Sequence, residues 1–214
     1  MTPKEPYSAA VPDAHPFWQA ASSPGERLGH LFFRLRGWTP LPILLFLFWQ
    51  ARPTTASLLW GTAFIVLGEW GRLSAAAFSG RATRTAFLNA PRLITEGPFA
   101  RVRNPIYLSN LVMYGGTVLQ ANVAPLVLPA TLVYFAVQYY FIVLVEEKFL
   151  QQQFGSLYQA YCHGVPAWQP RISRGKGKDE VYRLSWKETL RAERSSILQA
   201  ALVAGIMLLL KLWR

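Results

Sequence analysis

Long apolar runs broken by short polar turns dominate this chain, and they fall into five blocks. The first is Gly37 to Ala51, with Leu41, Ile43, Leu44, Leu45, Phe46, Leu47, Phe48 and Trp49. The second is Ser57 to Phe78, the third runs from Pro105 to Gln120, the fourth from Val123 to Val145, and the last from Ile197 to Leu212. A helix that crosses a bilayer needs about 20 residues. The second and fourth blocks meet that length, while the first and last are short. Leu31-Phe32-Phe33 lies upstream and extends the first block, which is read as spanning rather than re-entrant. The pattern predicts an all-α polytopic membrane protein with about five transmembrane helices.

The polar stretches divide the chain further. Met1 to Pro24 is rich in proline, alanine and serine and reads as a flexible tail. Its Phe17-Trp18 pair is alternatively a headgroup contact, since aromatic rings favour that zone. Residues 1–36 are set apart as a tail, 37–172 as the membrane core, and 173–214 as a C-terminal extension. Pro105 suits the first turn of a helix, where its missing N–H costs nothing. Lys148 to Arg171 carries aromatics at the spacing of an amphipathic helix lying on the interface. Ser173 to Lys178 reads as a linker and Asp179 to Arg194 as a mixed-charge helix. That extension is expected to cover a lipid entrance or to form a dimer contact.

Charge supplies an orientation. The chain has 22 Lys+Arg against 11 Asp+Glu, a formal net charge of +11, and only 15% charged residues. Soluble domains carry about 25% charged residues. The basic residues gather in the N-terminal tail, in the loop from Arg72 to Arg103, and in Lys148–Arg194. The turns at Arg52–Thr55 and Gln120–Ala124 hold one arginine between them. This alternation follows the positive-inside rule and places the basic loop in the cytoplasm. Charges that flank spans are not the basic face of a nucleic-acid binder. With all five blocks spanning, the C-terminus lies outside. Lys211 and Arg214 run against that, and a last segment that only dips in is the alternative. No cleavable leader is expected, because the first thirty residues lack an apolar core.

Candidate chemistry narrows quickly. His15, His30, His163 and the single Cys162 lack metal-ligand spacing, so no metal is expected. There is no G-x-S-x-G, P-loop or G-x-G-x-x-G. Glu69 and Arg72 share one helix face and either snorkel at the interface or face a polar cavity. Glu146-Glu147 ends the fourth block abruptly, where acids oppose the helix dipole. Either the helix continues and the pair is solvated beside Lys148, or the broken rule marks a functional site.

Three sequence blocks then carry a resemblance. Pro91-Arg-Leu-Ile-Thr-Glu-Gly-Pro-Phe99, Arg103-Asn-Pro-Ile-Tyr107, and Glu146-Glu147 followed by Phe154-Gly155, Tyr158, Tyr161 and Val165-Pro166 occur in order. From about Gly61 to Arg171 the chain resembles the integral-membrane methyltransferases, a superfamily with isoprenylcysteine carboxyl and phosphatidylethanolamine N-methyltransferases. The resemblance implies S-adenosyl-L-methionine as cofactor. By that likeness Leu93, Ile94, Gly97 and Phe99 form one wall of its pocket, Asn104, Pro105, Ile106 and Tyr107 a second, and Glu146 meets its amino group. Glu147 is the candidate proton acceptor and Arg103 its catalytic companion.

Two departures bear on the acceptor. Prenylcysteine enzymes have an arginine where Ile142 stands, and a histidine where Asn104 stands. Both changes favour a phospholipid-type amine, or another neutral lipid nucleophile, over a carboxylate. Two rival readings remain open: a nicotinamide-dependent membrane reductase of the sterol type, and a non-catalytic membrane adaptor.

Overall fold

The computed structural model describes residues 23–80, 90–172 and 183–214. Among them the regular structure is helical: α1 Pro24–Leu35, α2 Pro40–Gln50, α3 Thr55–Ser79, α4 Pro105–Ala121, α5 Val127–Phe154, α6 Ser156–Gly164 and α7 Trp186–Trp213, with a 3-10 turn at Gly97–Ala100. Local chemistry sets several of these boundaries. Ser23 caps α1 by accepting from the Glu26 N–H, and proline opens α1, α2 and α4. Capping boxes at Thr54/Ser57 and Ser185/Glu188 start α3 and α7. Asn122 closes α4 in the left-handed region at φ 49°, where a short polar side chain is tolerated.

Small residues let α3 and α4 pack against each other as an antiparallel pair. Gly61 lies against Gly116 and Gln120, Gly68 against Ser109 and Met113, and Gly71 against Ser109. A Cβ built at Gly116 would sit 2.7 Å from the Gly61 carbonyl oxygen and 2.9 Å from Ile65. Lipid tails are as apolar as leucine, so close backbone approach is a principal source of helix association in a bilayer. On the other side of α3, α7 runs antiparallel: the Leu184 N–H bonds the Ala77 carbonyl at one end, and Lys211 donates to Thr55 Oγ1 at the other. α1 packs antiparallel on α5, with Gly29 against Phe141 and Val145 and Lys148 paired with Glu26 at 2.8 Å. α1 and α2 are bent by 60° with respect to each other.

Two apolar clusters fill the bundle. Leu47, Ala51, Val118, Ala121 and Met207 join α2, α4 and α7 near one end. Phe33, Phe135, Tyr139 and Ile142 join α1 to α5 nearer the other, with Tyr107, Tyr114 and Trp168 packed against them. Large apolar side chains such as Leu59, Trp60, Leu67, Leu202 and Leu209 face outward.

By length and composition, α5 and α7 can each cross a membrane, and α1 with α2 makes a third span if the bent pair is counted as one. The five-span expectation is therefore met in part. α4 is 17 residues long, and the 25-residue α3 carries the polar Glu69–Arg72 stretch.

Other expectations are corrected. Residues 24–35, assigned to the tail, form α1. The fourth block does not end at Glu146-Glu147, because α5 continues to Phe154. The mixed-charge segment and last apolar block form a single 28-residue helix from Trp186. The amphipathic segment Lys148–Arg171 divides between the end of α5, α6 and an irregular stretch. The linker Ser173–Lys178, the start of the mixed-charge segment and most of the N-terminal tail lie outside the described residues.

Candidate active site

The antiparallel order brings the C-terminal end of α3, the start of α4, the last turns of α5, the start of α7 and α6 to one end of the bundle. There the acidic doublet meets the loop before α4. Tyr107, in the first turn of α4, donates its hydroxyl to Glu146 Oε1 at 2.7 Å. Arg103, just before α4, donates from Nε to Glu147 Oε1 at 2.9 Å, with Nη2 at 2.8 Å from the same oxygen. The two acids thus diverge: one takes a phenol, the other a guanidinium. Glu146 and Glu147 are both half-buried, and Lys148 is committed to Glu26. The doublet is accordingly neither a helix end nor a fully solvated pair.

Arg103 also fastens the segment that follows α6. Its Nη1 donates to the carbonyls of Cys162 (3.3 Å) and Val165 (3.1 Å). Its backbone N–H donates to the Pro166 carbonyl at 2.9 Å, and the Arg171 N–H donates to the Arg101 carbonyl at 3.0 Å. Burial works against the Arg103 charge, but the Glu147 carboxylate more than offsets it, holding the guanidinium above its ordinary value.

Of the other expected site residues, Asn104 and Phe99 are tied to α6 and the segment after it, while Leu93, Ile94 and Gly97 sit in the loop after α3. Asn104 donates through Nδ2 to the Ala167 carbonyl at 3.2 Å. Pro105 is buried at the start of α4 and Ile106 is half-buried beside it. Leu93 and Ile94 are half-buried in the loop, which Arg92 ties down by donating to the Phe78 carbonyl at 3.0 Å. Gly97 has φ +60°, and a Cβ there would collide with the Phe78 ring, so both backbone and space call for glycine. The Phe99 carbonyl accepts from the Tyr161 hydroxyl at 2.7 Å. Burial pushes the Tyr161 phenol well up, as it does that of Tyr158, where Glu147 adds to the effect. Tyr161 therefore acts as a neutral donor.

Sequence reasoning missed the support beneath this seam. The Tyr107 ring packs on Tyr139 with centroids 4.6 Å apart. Tyr139 Oη accepts from Asn110 Nδ2 at 3.2 Å and donates to Tyr114 Oη at 3.2 Å. Arg72 Nη1 donates to Asn110 Oδ1 at 2.7 Å, and its Nε donates to Glu193 Oε2 at 3.0 Å. Glu69 and Arg72 match neither reading as stated: instead of snorkelling or facing a polar cavity they meet α7, where Ser196 donates to Glu69 Oε2 at 3.0 Å and Glu193 accepts from Arg72. Only the helical spacing of the Arg72 stretch pointed this way in the sequence. Among the described residues no group of three or more His, Cys, Asp or Glu side chains gathers as a metal site.

A membrane helical bundle with a carboxylate pair closed by a basic, proline-bearing loop defines a class. Residues 56–156 match the phospholipid methyltransferase family model. That match is a likeness over just under half of the chain, to a family within the integral-membrane methyltransferase superfamily. Over 120 residues the chain is 32% identical to the cobalt-zinc-cadmium resistance protein CzcN of Cupriavidus metallidurans, covering 55% of this chain and 51% of that protein. The chain thus spans about half the length of this curated relative. No solved structure matches it.

Proposed function

We propose that the protein is a multi-pass membrane methyltransferase that uses S-adenosyl-L-methionine and acts on a lipid or lipophilic acceptor, most readily a phospholipid-type amine. One observation carries the reading: two of the three motif stretches, some forty residues apart in sequence, close on each other through Tyr107–Glu146 and Arg103–Glu147. The match of residues 56–156 to the phospholipid methyltransferase family model supports it independently.

The cofactor carries an ammonium, a sulfonium and a carboxylate, so it needs both charge signs and an apolar wall. The donor set here has that chemistry. Only Oε1 of Glu146 is hydrogen-bonded among the described residues, which leaves Oε2 to take an ammonium. Leu93, Ile94, Gly97 and Phe99 make the wall on the loop side, and Asn104, Pro105, Ile106 and Tyr107 the wall on the α4 side. When bound, the cofactor supplies an electrophilic methyl on sulfur. The chain's part is to align that methyl with the acceptor and to exclude water, and alignment accounts for much of such catalysis.

Arg103 and Glu147 serve in this reading as the latch that holds the loop and residues 165–171 onto α5. With its Oε1 taken up by the guanidinium, Glu147 is less suited to the proton-acceptor role than its position in the sequence suggested.

Ile142 supports the amine over a carboxylate. It is fully buried in the α1–α5 cluster, with no cationic side chain at that position to clamp an acid. The positive-inside bias puts the site at the cytoplasmic face and favours five traversals, with α3 and α4 included. Lys211 and Arg214 fit a full last traversal, because they bond Thr55 at the start of α3 and the Ala51 and Trp49 carbonyls at the end of α2.

The test is incubation of the purified protein with labelled S-adenosyl-L-methionine and total membrane lipid, followed by identification of the labelled product. A labelled lipid amine is expected. Label on a carboxylate would move the acceptor class. Absence of transfer, with binding of reduced nicotinamide instead, would support the reductase reading.

A further inference from the structure

α7 lies wholly outside the segment that matches the methyltransferase family, yet it sends a carboxylate into the bundle. Thr189, Glu193 and Ser196 are spaced four and three residues apart, share one face, and are 0%, 1% and 9% exposed. This polar stripe faces α3, where Glu69 and Arg72 receive it. A buried charge at this depth is costly and calls for a reason.

The direction of the hydrogen bonds supplies one. Glu193 holds Arg72 from one side, and Arg72 then donates to Asn110 Oδ1. That contact fixes which way the Asn110 amide faces, so Nδ2 is the atom presented to Tyr139. With Asn110 donating to it, Tyr139 directs its own proton to Tyr114. The ring so pinned is the one against which Tyr107 packs, and Tyr107 in turn holds Glu146. Every link from Glu193 to Glu146 is a contact between named atoms or rings.

We propose that Glu193 is a positioning residue for the cofactor carboxylate Glu146, acting through Arg72, Asn110, Tyr139 and Tyr107, so that the C-terminal helix completes the site. This deepens the methyltransferase reading and rests on it. A purely structural ion pair would instead only dock α7 on α3.

The two roles separate in the full-length chain carrying Arg72→Met and Glu193→Met together. Replacing a buried ion pair by well-packed apolar residues is often neutral or stabilising, so thermal stability in detergent is expected to match the wild type. Affinity for S-adenosylhomocysteine, measured by calorimetry, is expected to fall about tenfold through misplacement of Tyr107 and Glu146. Tyr139→Phe, which keeps the ring and removes the anchor, is expected to give a similar loss. Combined with the double variant it adds nothing further, as members of one chain do. Glu193→Asp is expected to recover part of the affinity.

A stable double variant that binds as tightly as the wild type overturns the proposal and leaves the cofactor site standing. So does full additivity with Tyr139→Phe. If the double variant is too unstable to titrate, Tyr139→Phe decides alone: unchanged affinity overturns the proposal and a tenfold loss supports it. Failure of the wild type to bind S-adenosylhomocysteine overturns the underlying reading, and this inference with it.

Discussion

The two ends of the bundle are closed by different chemistry. At the loop end, charged side chains meet carboxylates: Arg103 with Glu147 and Lys148 with Glu26. Deeper in the same half, Arg72 meets Glu193. At the far end, two cations and an amide donate to neutral oxygens. Lys211 reaches Thr55, Arg214 reaches the carbonyls of Ala51 and Trp49, and Asn122 donates to the Arg52 carbonyl. Among the described residues no acid lies in the far-end turns. Both ends are fastened, but only one has carboxylates beside half-buried apolar walls. Closure alone therefore does not mark a site. The concentration of acids at one end is what the proposed site rests on, because acids in a membrane protein are expensive to bury.

Breaking a fastening at each end sharpens this contrast. Arg103→Met removes the partner of Glu147 and the anchor of residues 162–166 together. Stability in detergent should fall by about 2–3 kcal/mol, and limited proteolysis should cut first between α6 and residue 172. Uncut protein of unchanged stability would mean that the latch is decorative. Gly97→Ala places a Cβ against Phe78 at a positive φ and should cost about 2 kcal/mol, read as a lower melting temperature. Arg214→Ala at the far end removes a partly exposed donor to neutral carbonyls and should cost less than about 1 kcal/mol. A larger loss there would erase the asymmetry between the two ends.

The smallest effect is one of pH. Burial raises the Tyr161 phenol, so the folded state holds its proton more tightly than the unfolded state does. The stability this contributes is fully present below the unfolded tyrosine value of about 10. It is lost as pH rises beyond that. Tyr161→Phe should flatten the alkaline fall in melting temperature between about pH 10 and 12, and an unchanged slope would remove Tyr161 from the account.

Much of the fold was legible where hydrophobic pattern and punctuation agreed. α3 and α4 begin and end within two residues of the apolar blocks, because Pro105, the Thr54 cap and the Asn122 turn are local signals. The pattern misled where charge was taken for an ending. Glu146-Glu147 interrupts hydropathy but not α5, since its carboxylates find partners sideways on α4 and its loop. Glu193 and Arg194 likewise split α7 on paper, although Glu193 is buried against Arg72. The capping signals Ser23–Glu26 and Ser185–Glu188 were available for α1 and α7, but a polar composition masked them. The motif stretches named the seam, while its support from Asn110, Tyr139 and Glu193 depends on which helices become neighbours. No local pattern reports that.

The central claim is that Glu146 and the loop before α4 hold one sulfonium cofactor. Calorimetric titration of S-adenosylhomocysteine into wild type and Glu146→Gln tests it most directly. Saturable binding by the wild type, weakened about a hundredfold when the charge-assisted bond to the ammonium is lost, is the predicted result. Equal binding by the two proteins, or none by the wild type, would contradict it.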